Sequence, residues 1–341
     1  MSEFVHLHCH SEFSLLDGAT RLRQMVDRAA ELNMPALALT DHGTMFGVID
    51  FYKAAREAGI KPIIGCEVYV APRSRFDKEA RVDDNHYHLV LLAENNLGYQ
   101  NLTSLVSAGF LEGFYYKPRI DRELLNKHHE GLIALSACLA GEIPTLIISG
   151  QLEKARETAC YYRDLFGKDN FFLELHDHGI PEQKQVNEAL LKISKDEGIH
   201  LVASNDVHYL SRGDAQVHDV LLCIQTGKCV EDTERMRFQS EEFYFKTADE
   251  AAALFSSFPG ALENSIWIAE RCNVEKSFDE YHLPEYDLPE GVDAESYLKK
   301  LCYEGMEKLY PEITDEMKER LEYELRVIYQ MGYANYFLIV W

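Results

Sequence analysis

Apolar runs alternate with amphipathic stretches along residues 4–210 of the chain. Seven runs have the length and composition of buried strands: Phe4–Cys9, Ala36–Asp41, Pro62–Ala71, Tyr87–Ala93, Leu132–Leu139, Phe171–His176 and Leu201–Asn205. Between them, apolar residues recur at helical spacing over Thr20–Leu32, Val48–Ala58, Asn96–Leu111, Gly141–Ile148, Leu152–Leu165 and Pro181–Glu197. This alternation of strands and helices predicts parallel pairing through crossover connections.

Seven strand–helix units are close to the eight of a closed β/α barrel. Most polar residues with candidate chemistry follow the strand ends, where the active sites of such barrels lie. His88 fits less well, because it stands near the start of its strand. We therefore predict an α/β fold, a distorted (β/α)7 barrel similar to a TIM barrel, with its distortion near His88.

The composition changes after about residue 280. Leu283–Pro289 holds two prolines in an acidic stretch and is typical of a linker, whereas Glu295–Tyr310 and Thr314–Gln330 have the charge pairs of amphipathic helices. We predict two parts, residues 1–280 and 281–341. The apolar run Asn335–Trp341 has no helix stop signal, which indicates a domain that continues beyond it.

Composition excludes several classes of protein. The 341 residues are 46% hydrophobic and 27% charged, as in soluble globular proteins. No apolar run approaches 18 residues and no signal peptide precedes the first strand, so we expect a cytoplasmic protein without a membrane partner. The eight cysteines form no CxxC pair and are expected to be reduced thiols. A net charge of −23 is unusual for a nucleic-acid binder, so a DNA substrate would need metal ions, or a region outside this chain, to attract its phosphates.

Histidines recur at spacing two, mostly beside a carboxylate. The groups are His6, His8 and His10 with Asp17, then Asp41-His42, His86 with His88, His176-Asp177-His178, and Asp206 with His208. Residues i and i+2 of a strand point the same way, and imidazole and carboxylate are ligands for zinc, manganese and iron. The pattern predicts a site for several divalent ions, and paired ions favour phosphoester hydrolysis.

The sequence supports a metal-binding role for the other candidate residues to different degrees. Glu67, at a strand end, is a further candidate ligand, and Cys138 gains weight from its place at the end of the fifth predicted strand. His176 and His178 are equally compatible with the site and with a supporting or surface loop. Five further histidines receive no role. We expect His128 and His129 at the surface, and the sequence gives no support for a role of His200, His218 or His282.

Several motifs together resemble the PHP (polymerase and histidinol phosphatase) family, in the form found at the amino terminus of C-family bacterial replicative DNA polymerases. They are Phe4–Ser11, Phe13–Gly18, Leu39–Gly43, Gly65–Glu67 and Asn205–Tyr209, with His88–Asn95 and Tyr116–Arg119 in support. The resemblance covers residues 3–275, and residues 283–341 are similar to the start of the polymerase palm region.

The resemblance implies a trinuclear metal cluster held by nine residues. The positions of this sequence that match the family's ligand positions are His8, His10, Asp17, His42, Glu67, His88, Cys138, Asp206 and His208. All nine positions hold a residue able to bind a metal, which implies an active phosphoesterase with a 3′–5′ exonuclease proofreading activity. The catalytic roles would fall to His10, Glu67, Asp206 and His208, while Asp41, His6 and His86 would support ligands.

The implied cofactors are about three divalent ions of zinc, manganese or iron. The implied partners are the 3′ end of a DNA primer-template, the rest of the polymerase chain, the sliding clamp and a proofreading subunit. The polymerase carboxylates of the family do not occur in this chain, so we expect no DNA synthesis from it. Two alternatives stay open: a free-standing phosphatase for a small phosphate monoester, and a metal-stabilised scaffold that docks the polymerase core or a proofreading subunit.

Overall fold

The computed structural model describes residues 4–278 and 284–341. Its strands are β1 (Ala36–Leu39), β2 (Lys61–Val70), β3 (Tyr87–Ala93), β4 (Arg119–Ile120), β5 (Leu132–Leu135), β6 (Phe171–Leu175) and β7 (His200–Ala203). Its helices are α1 (Leu22–Glu31), α2 (Val48–Glu57), α3 (Asn96–Leu111), α4 (Arg122–His128), α5 (Glu142–Ile148), α6 (Leu152–Phe166), α7 (Pro181–Glu197), α8 (Ala215–Thr226), α9 (Ala248–Phe255), α10 (Glu263–Arg271), α11 (Ala294–Leu309), α12 (Asp315–Gln330) and α13 (Ala334–Val340), with a 3₁₀ turn at Arg212–Asp214.

The strands form one sheet in the order β1-β2-β3-β5-β6-β7, and β4 pairs with β2. Strand β3 is antiparallel to both β2 and β5, while β1–β2, β5–β6 and β6–β7 are parallel. The prediction of an all-parallel sheet is therefore wrong at β3. The connection 71–86 contains no helix that could cross the sheet face as parallel pairing normally requires.

The predicted first strand, Phe4–Cys9, is not a regular strand. Its carbonyls nevertheless accept backbone hydrogen bonds from the β1 side, with Ala38 N to His6 O at 3.0 Å. On its other side, Val207 N donates to His8 O at 3.0 Å. The amide of Cys9 donates to the Thr40 hydroxyl instead of a backbone carbonyl, which interrupts the ladder. Residues 4–10 thus join the two edges of the curled sheet, and the predicted distorted α/β barrel is confirmed.

Both faces of the sheet are buried. In β1, Leu37 and Leu39 belong to the core between the sheet and the helices, while Ala36 and Ala38 face the barrel interior together with α10. The same alternation holds along β3, because successive strand side chains point to opposite faces. Burying each large aliphatic side chain contributes about 1.5 to 3 kcal/mol, so the barrel is a packed core and its polar chemistry is confined to one edge.

The predicted helices agree closely with those observed. Helices α3 and α7 have the predicted bounds, and α1, α2, α5, α6, α11 and α12 differ by one or two residues at their ends. Helices α4, α8, α9, α10 and α13 were not predicted. None of the helices in the described residues is long and apolar enough to cross a membrane. All eight cysteines are free thiols.

The chain divides into two compact units, Met1–Glu275 and Lys276–Trp341. The second unit consists of α11, α12 and α13 around a small core of Leu298, Leu325, Ala334 and Leu338. The predicted boundary at 280/281, the start of the predicted linker at Leu283 and the unassigned His282 lie outside the described residues.

Candidate metal centre

Polar side chains from distant segments meet at the edge of the sheet where parallel strands end. His42 follows β1, Cys138 follows β5 and Asp206 follows β7. His8 and His10 arrive from the segment that joins the two sheet edges. The edge corresponds to the active-site end of a β/α barrel.

The reversed direction of β3 explains why His88 stands near the start of its strand. In the antiparallel register, His88 pairs with Tyr69 near the end of β2. An antiparallel strand begins where its neighbour ends, so His88 lies at the same edge as the residues that follow β1, β5 and β7.

The carboxylate of Glu67 is at the centre of this cluster. Its Oε1 lies 2.8 Å from His88 Nδ1 and 3.3 Å from His8 Nε2. Its Oε2 lies 2.5 Å from His42 Nδ1 and 3.6 Å from His10 Nε2. The side chain is fully buried. One carboxylate that faces four imidazoles has the arrangement of a ligand that bridges metal ions.

Asp206 and Cys138 flank the central carboxylate. Asp206 Oδ1 lies 3.1 Å from His10 Nε2 and 3.3 Å from His8 Nε2. Its backbone has φ of +44°, a conformation that is costly for a residue other than glycine and is concentrated at functional sites. The thiol Sγ of Cys138 lies 3.6 Å from His88 Nδ1.

Asp17 lies on the other side of the cluster. Its Oδ2 lies 3.2 Å from His42 Nε2, and its Oδ1 lies 3.8 Å from His208 Nε2. A further residue, His218 of α8, places Nε2 3.1 Å from the same Oδ1. The structure therefore brings all nine predicted ligand residues together and adds a tenth residue of the same chemistry.

The hydrogen bonds of His10 determine which ring nitrogen carries the proton. The Ser14 hydroxyl donates its single proton to Asp41 at 2.7 Å, so it must accept from His10 Nδ1 at 3.0 Å. A neutral imidazole with its proton on Nδ1 has a lone pair on Nε2. This lone pair faces the Asp206 carboxylate, which also has only lone pairs to offer. Asp41 thus supports a predicted ligand residue, His10, through Ser14.

His8 has the same arrangement. Its Nδ1 lies 2.9 Å from Glu174 Oε1, so a neutral His8 donates from Nδ1 and directs its lone pair on Nε2 towards Glu67 and Asp206. His8 Nε2 and Glu67 Oε2 are buried, and apart from the close imidazole–carboxylate contacts given above they make no hydrogen bond to any described residue. Lone pairs that face carboxylates repel unless a cation, either a proton or a metal ion, lies between them. The donor set of imidazoles, carboxylates and one thiol fits zinc, manganese or iron.

Ionisation in the absence of metal follows from the same contacts. Burial opposes ionisation of Glu67, but His88, His42 and His8 outweigh it and hold the pKa of Glu67 well below its usual value. Burial also opposes protonation of His42, but the carboxylates of Glu67 and Asp17 outweigh it and raise the pKa of His42 to about 10. Burial raises the pKa of the Cys138 thiol well above its usual value. A metal ion must therefore displace protons to bind here.

The histidines with uncertain roles lie in different surroundings. His176 Nε2 contacts Glu174 Oε1 at 3.0 Å and Ser204 Oγ at 2.7 Å, one contact away from His8. His178 is held by Gln183 and by the Asn205 carbonyl. Two others were expected to support ligands: His6 Nε2 contacts the Lys246 carbonyl at 2.9 Å instead, and the ring of His86 stacks 5.9 Å from that of His88.

A cavity of about 450 Å³ opens onto the cluster. Its lining combines predicted ligand residues with apolar side chains that include Leu139, Phe238 and Phe243. None of the described lining residues is a lysine or arginine. The cavity has room for a small ligand.

Sequence reasoning missed Glu174, Ser14 and His218. The sequence did contain a signal for Glu174, because it is the one charged residue within the buried strand β6. The sequence contained no such signal for Ser14 or His218, because only the fold brings these two residues to the cluster. His218 lies 201 positions from Asp17, the residue that it contacts.

Two models of known protein families match parts of the chain. Residues 6–178 match the family model of the PHP domain, and residues 296–341 match the model described as bacterial DNA polymerase III alpha NTPase domain. Among solved structures, a two-domain protein containing a predicted PHP-like metal-dependent phosphoesterase from Bacteroides vulgatus aligns at 16% identity and a TM-score of 0.38. That alignment covers 74% of this chain and 62% of the other.

Curated relatives cover nearly the whole chain. A DNA polymerase III subunit alpha of Treponema pallidum is 48% identical over 99% of this chain and 29% of its own length. The DNA polymerase III subunit alpha of Thermus aquaticus is 44% identical over 91% of this chain and 26% of its own length. The chain thus spans less than a third of the length of either relative. Because the PHP model matches slightly more than half of its residues, this chain belongs to the PHP domain family.

Proposed function

We propose that this chain is the PHP part of a bacterial replicative DNA polymerase and that its metal centre hydrolyses phosphodiester bonds at the 3′ end of DNA. The observation that carries the proposal is the position of the Nε2 atoms of His8 and His10, which both face carboxylate oxygens. Each has its Nδ1 fixed by a buried partner and its Nε2 directed at carboxylate oxygens between 3.1 and 3.6 Å away. This arrangement fits divalent cations between the imidazole nitrogens and the carboxylate oxygens.

The proposed centre holds about three ions of zinc, manganese or iron. Its ligands would be the nine residues His8, His10, Asp17, His42, Glu67, His88, Cys138, Asp206 and His208. Bound ions would supply an activated water and a counter-charge for the phosphate. An ion with three protein ligands would be held in place and would keep an open position for substrate.

The chain's own residues would orient and shield the reaction. Glu67 and Asp206 both face His8 and His10, so these four side chains would together hold bound ions. Glu174 and Ser14 hold the far nitrogens of these two imidazoles, which keeps their lone pairs directed inward. Apolar cavity walls would restrict water to the metal side of a bound nucleotide.

The polymerase context is part of the proposal. It is supported by the alpha subunits that resemble nearly the whole chain and by the second model match in residues 296–341. In that context the partners would be the 3′ end of a primer-template, the rest of the alpha subunit, the sliding clamp and a proofreading subunit, in the cytoplasm. Residues 1–280 would form the PHP domain and 281–341 the start of the palm region.

A second candidate is a metal-stabilised scaffold. One observation favours it: the described cavity lining has no lysine or arginine, and the chain has a net charge of −23. Such a surface repels DNA unless ions or another part of the protein compensate.

The test combines metal analysis with two substrates. Metal content is measured first, and then a 3′-mismatched primer-template and a small phosphate monoester are offered to wild type and Asp206→Ala. We expect about three ions and 3′ trimming that Asp206→Ala abolishes. Asp164→Ala is the control, because this carboxylate is exposed and pairs with Arg163. Bound metal without either activity would leave the scaffold, and turnover of the monoester alone would identify a phosphatase.

A further inference from the structure

His218 lies beside the proposed metal centre without belonging to its nine residues. Its imidazole is 2% exposed, and Nε2 lies 3.1 Å from Asp17 Oδ1. Three rings hold it in place: those of Phe238, Tyr209 and His208, with centroids 4.5, 5.5 and 5.4 Å away. A side chain this constrained presents Nε2 in a fixed direction.

The neighbouring His208 shows that more than a hydrogen bond is needed here. Its Nδ1 lies 2.9 Å from the Asp206 carbonyl oxygen, which can only accept, so the proton of a neutral His208 is on Nδ1. The lone pair on His208 Nε2 therefore faces Asp17 Oδ1 at 3.8 Å. A hydrogen bond from His218 would satisfy Asp17 but would leave these two groups repelling each other. A cation between all three removes the repulsion.

The spacing also suits a metal ion. Zinc binds nitrogen and oxygen at about 2.0 to 2.1 Å, so tetrahedral ligand atoms lie about 3.3 Å apart. Asp17 oxygens lie 3.1 Å from His218 Nε2, 3.2 Å from His42 Nε2 and 3.8 Å from His208 Nε2. The Asp17, His208 and His218 ligand atoms all lie within 4.8 Å of one another.

We propose that His218 is the fourth protein ligand of the ion held by Asp17, His42 and His208. Four protein ligands close the shell of a divalent ion, as in structural zinc sites, whereas a catalytic ion keeps an open position. This ion would then be a structural one, and substrate would bind at the ions on the Glu67 and Asp206 side. The inference rests on the metal centre of the proposed function and assigns different roles to its ions: one is structural, and the others bind substrate.

The experiment compares His218→Gln and His218→Ala with wild type. Gln keeps an N–H that can donate to Asp17 but is a poor zinc ligand, so it separates ligation from hydrogen bonding. His200→Gln is the matched control, since His200 Nε2 lies 3.1 Å from Asp169 in a pair outside the centre. The zinc-loaded proteins are dialysed against a chelator, and zinc per chain is followed by mass spectrometry. Circular dichroism of the metal-free proteins checks the fold.

We expect both His218 variants to lose one ion about 10 to 100 times more readily than wild type, while the other ions and the control stay unchanged. Retention of all ions by His218→Gln would overturn the inference. A wild type that binds no zinc would instead overturn the proposed function. If the variants do not fold, cadmium-113 NMR of the nitrogen-15-labelled wild type decides, because a ligand His218 must show a one-bond coupling to cadmium and its absence refutes ligation.

Discussion

His8 Nδ1 lies 2.9 Å from Glu174 Oε1, although the two residues are 166 positions apart. Both side chains are fully buried. Glu174 is itself held by the Ser204 hydroxyl and His176, so the direction of His8 is determined by a network from β6 and the residues after β7. Through this network a strand that supplies none of the nine proposed ligands still controls one of them.

Removing the Glu174 carboxylate is expected to weaken metal binding. Glu174→Ala leaves the His8 ring without its acceptor, and loss of such an outer partner lowers metal affinity about 10 to 100-fold. Glu174→Gln keeps an acceptor oxygen and should lose less. Chelator competition measures both, with Glu188→Ala, an exposed carboxylate on α7, as the control. Equal affinity in Glu174→Ala and wild type would show that His8 needs no such support.

The metal-free chain should lose stability as the pH rises. The pKa of His42 is raised to about 10 from about 6.5 in an unfolded chain. The charged ring therefore stabilises the fold fully below pH 6.5, and its contribution disappears as the pH passes 10. Urea unfolding of metal-free wild type and His42→Gln should show a difference that shrinks across this window. A difference that grows with pH would contradict the assignment.

Zinc affinity should change in the opposite direction over the same window. Metal binding must displace the proton that His42 holds near neutral pH, so affinity is expected to rise with pH. Calorimetry in buffers of different ionisation enthalpy counts the protons released. Binding without proton release at neutral pH would mean that His42 is not a ligand.

A side chain at position 43 is expected to displace His42. Gly43 has φ of +61°, and an added Cβ would lie 2.8 Å from the Tyr69 ring. Gly59→Ala is the matched control, because Gly59 has φ of +75° with nothing within 4 Å. Gly59→Ala should cost about 1 to 2 kcal/mol for its backbone alone, and Gly43→Ala about 1 to 3 kcal/mol more for the collision. Denaturant unfolding measures both, and metal content should fall in Gly43→Ala only.

Arg119 is expected to be irreplaceable by lysine. Its buried guanidinium donates to the carbonyls of Gly113, Asp83 and Asp77 at 3.2, 3.0 and 2.8 Å. A lysine cannot reproduce this planar fork, so Arg119→Lys should cost about 3 kcal/mol in unfolding free energy. The half-exposed Arg122, paired with Glu142, provides a control whose change to lysine should cost less than about 1 kcal/mol. Similar values for the two would show that the fork contributes little.

Helix bounds could be predicted from the sequence, because they depend on local periodicity. The bounds of α7 follow from its apolar spacing, from Pro181 at its start and from Gly198 with φ of +66° after its end. The direction of β3 could not be predicted in this way, because it depends on where the connection 71–86 runs and not on the strand's own residues.

The candidate site shows the same limit. His8, His10 and Asp206 stand in sequence patterns that indicate metal chemistry, and the structure brings them together. His218 has no such pattern, since its position depends on how α8 returns to Asp17 after 201 residues. The assignment of the nine ligands stays a prediction that metal analysis tests.

The contact between His10 and Asp206 joins points 196 residues apart, beside the place where Val207 pairs with the segment 4–10. An ion bound there would act as a cross-link that closes a loop spanning most of the first unit, Met1–Glu275. Closing so long a loop removes conformational freedom mainly from the unfolded chain. Loss of the ions would therefore release both edges of the sheet at once, and hydrogen exchange at the amides of His10 and Val207 would accelerate before that of the central strands.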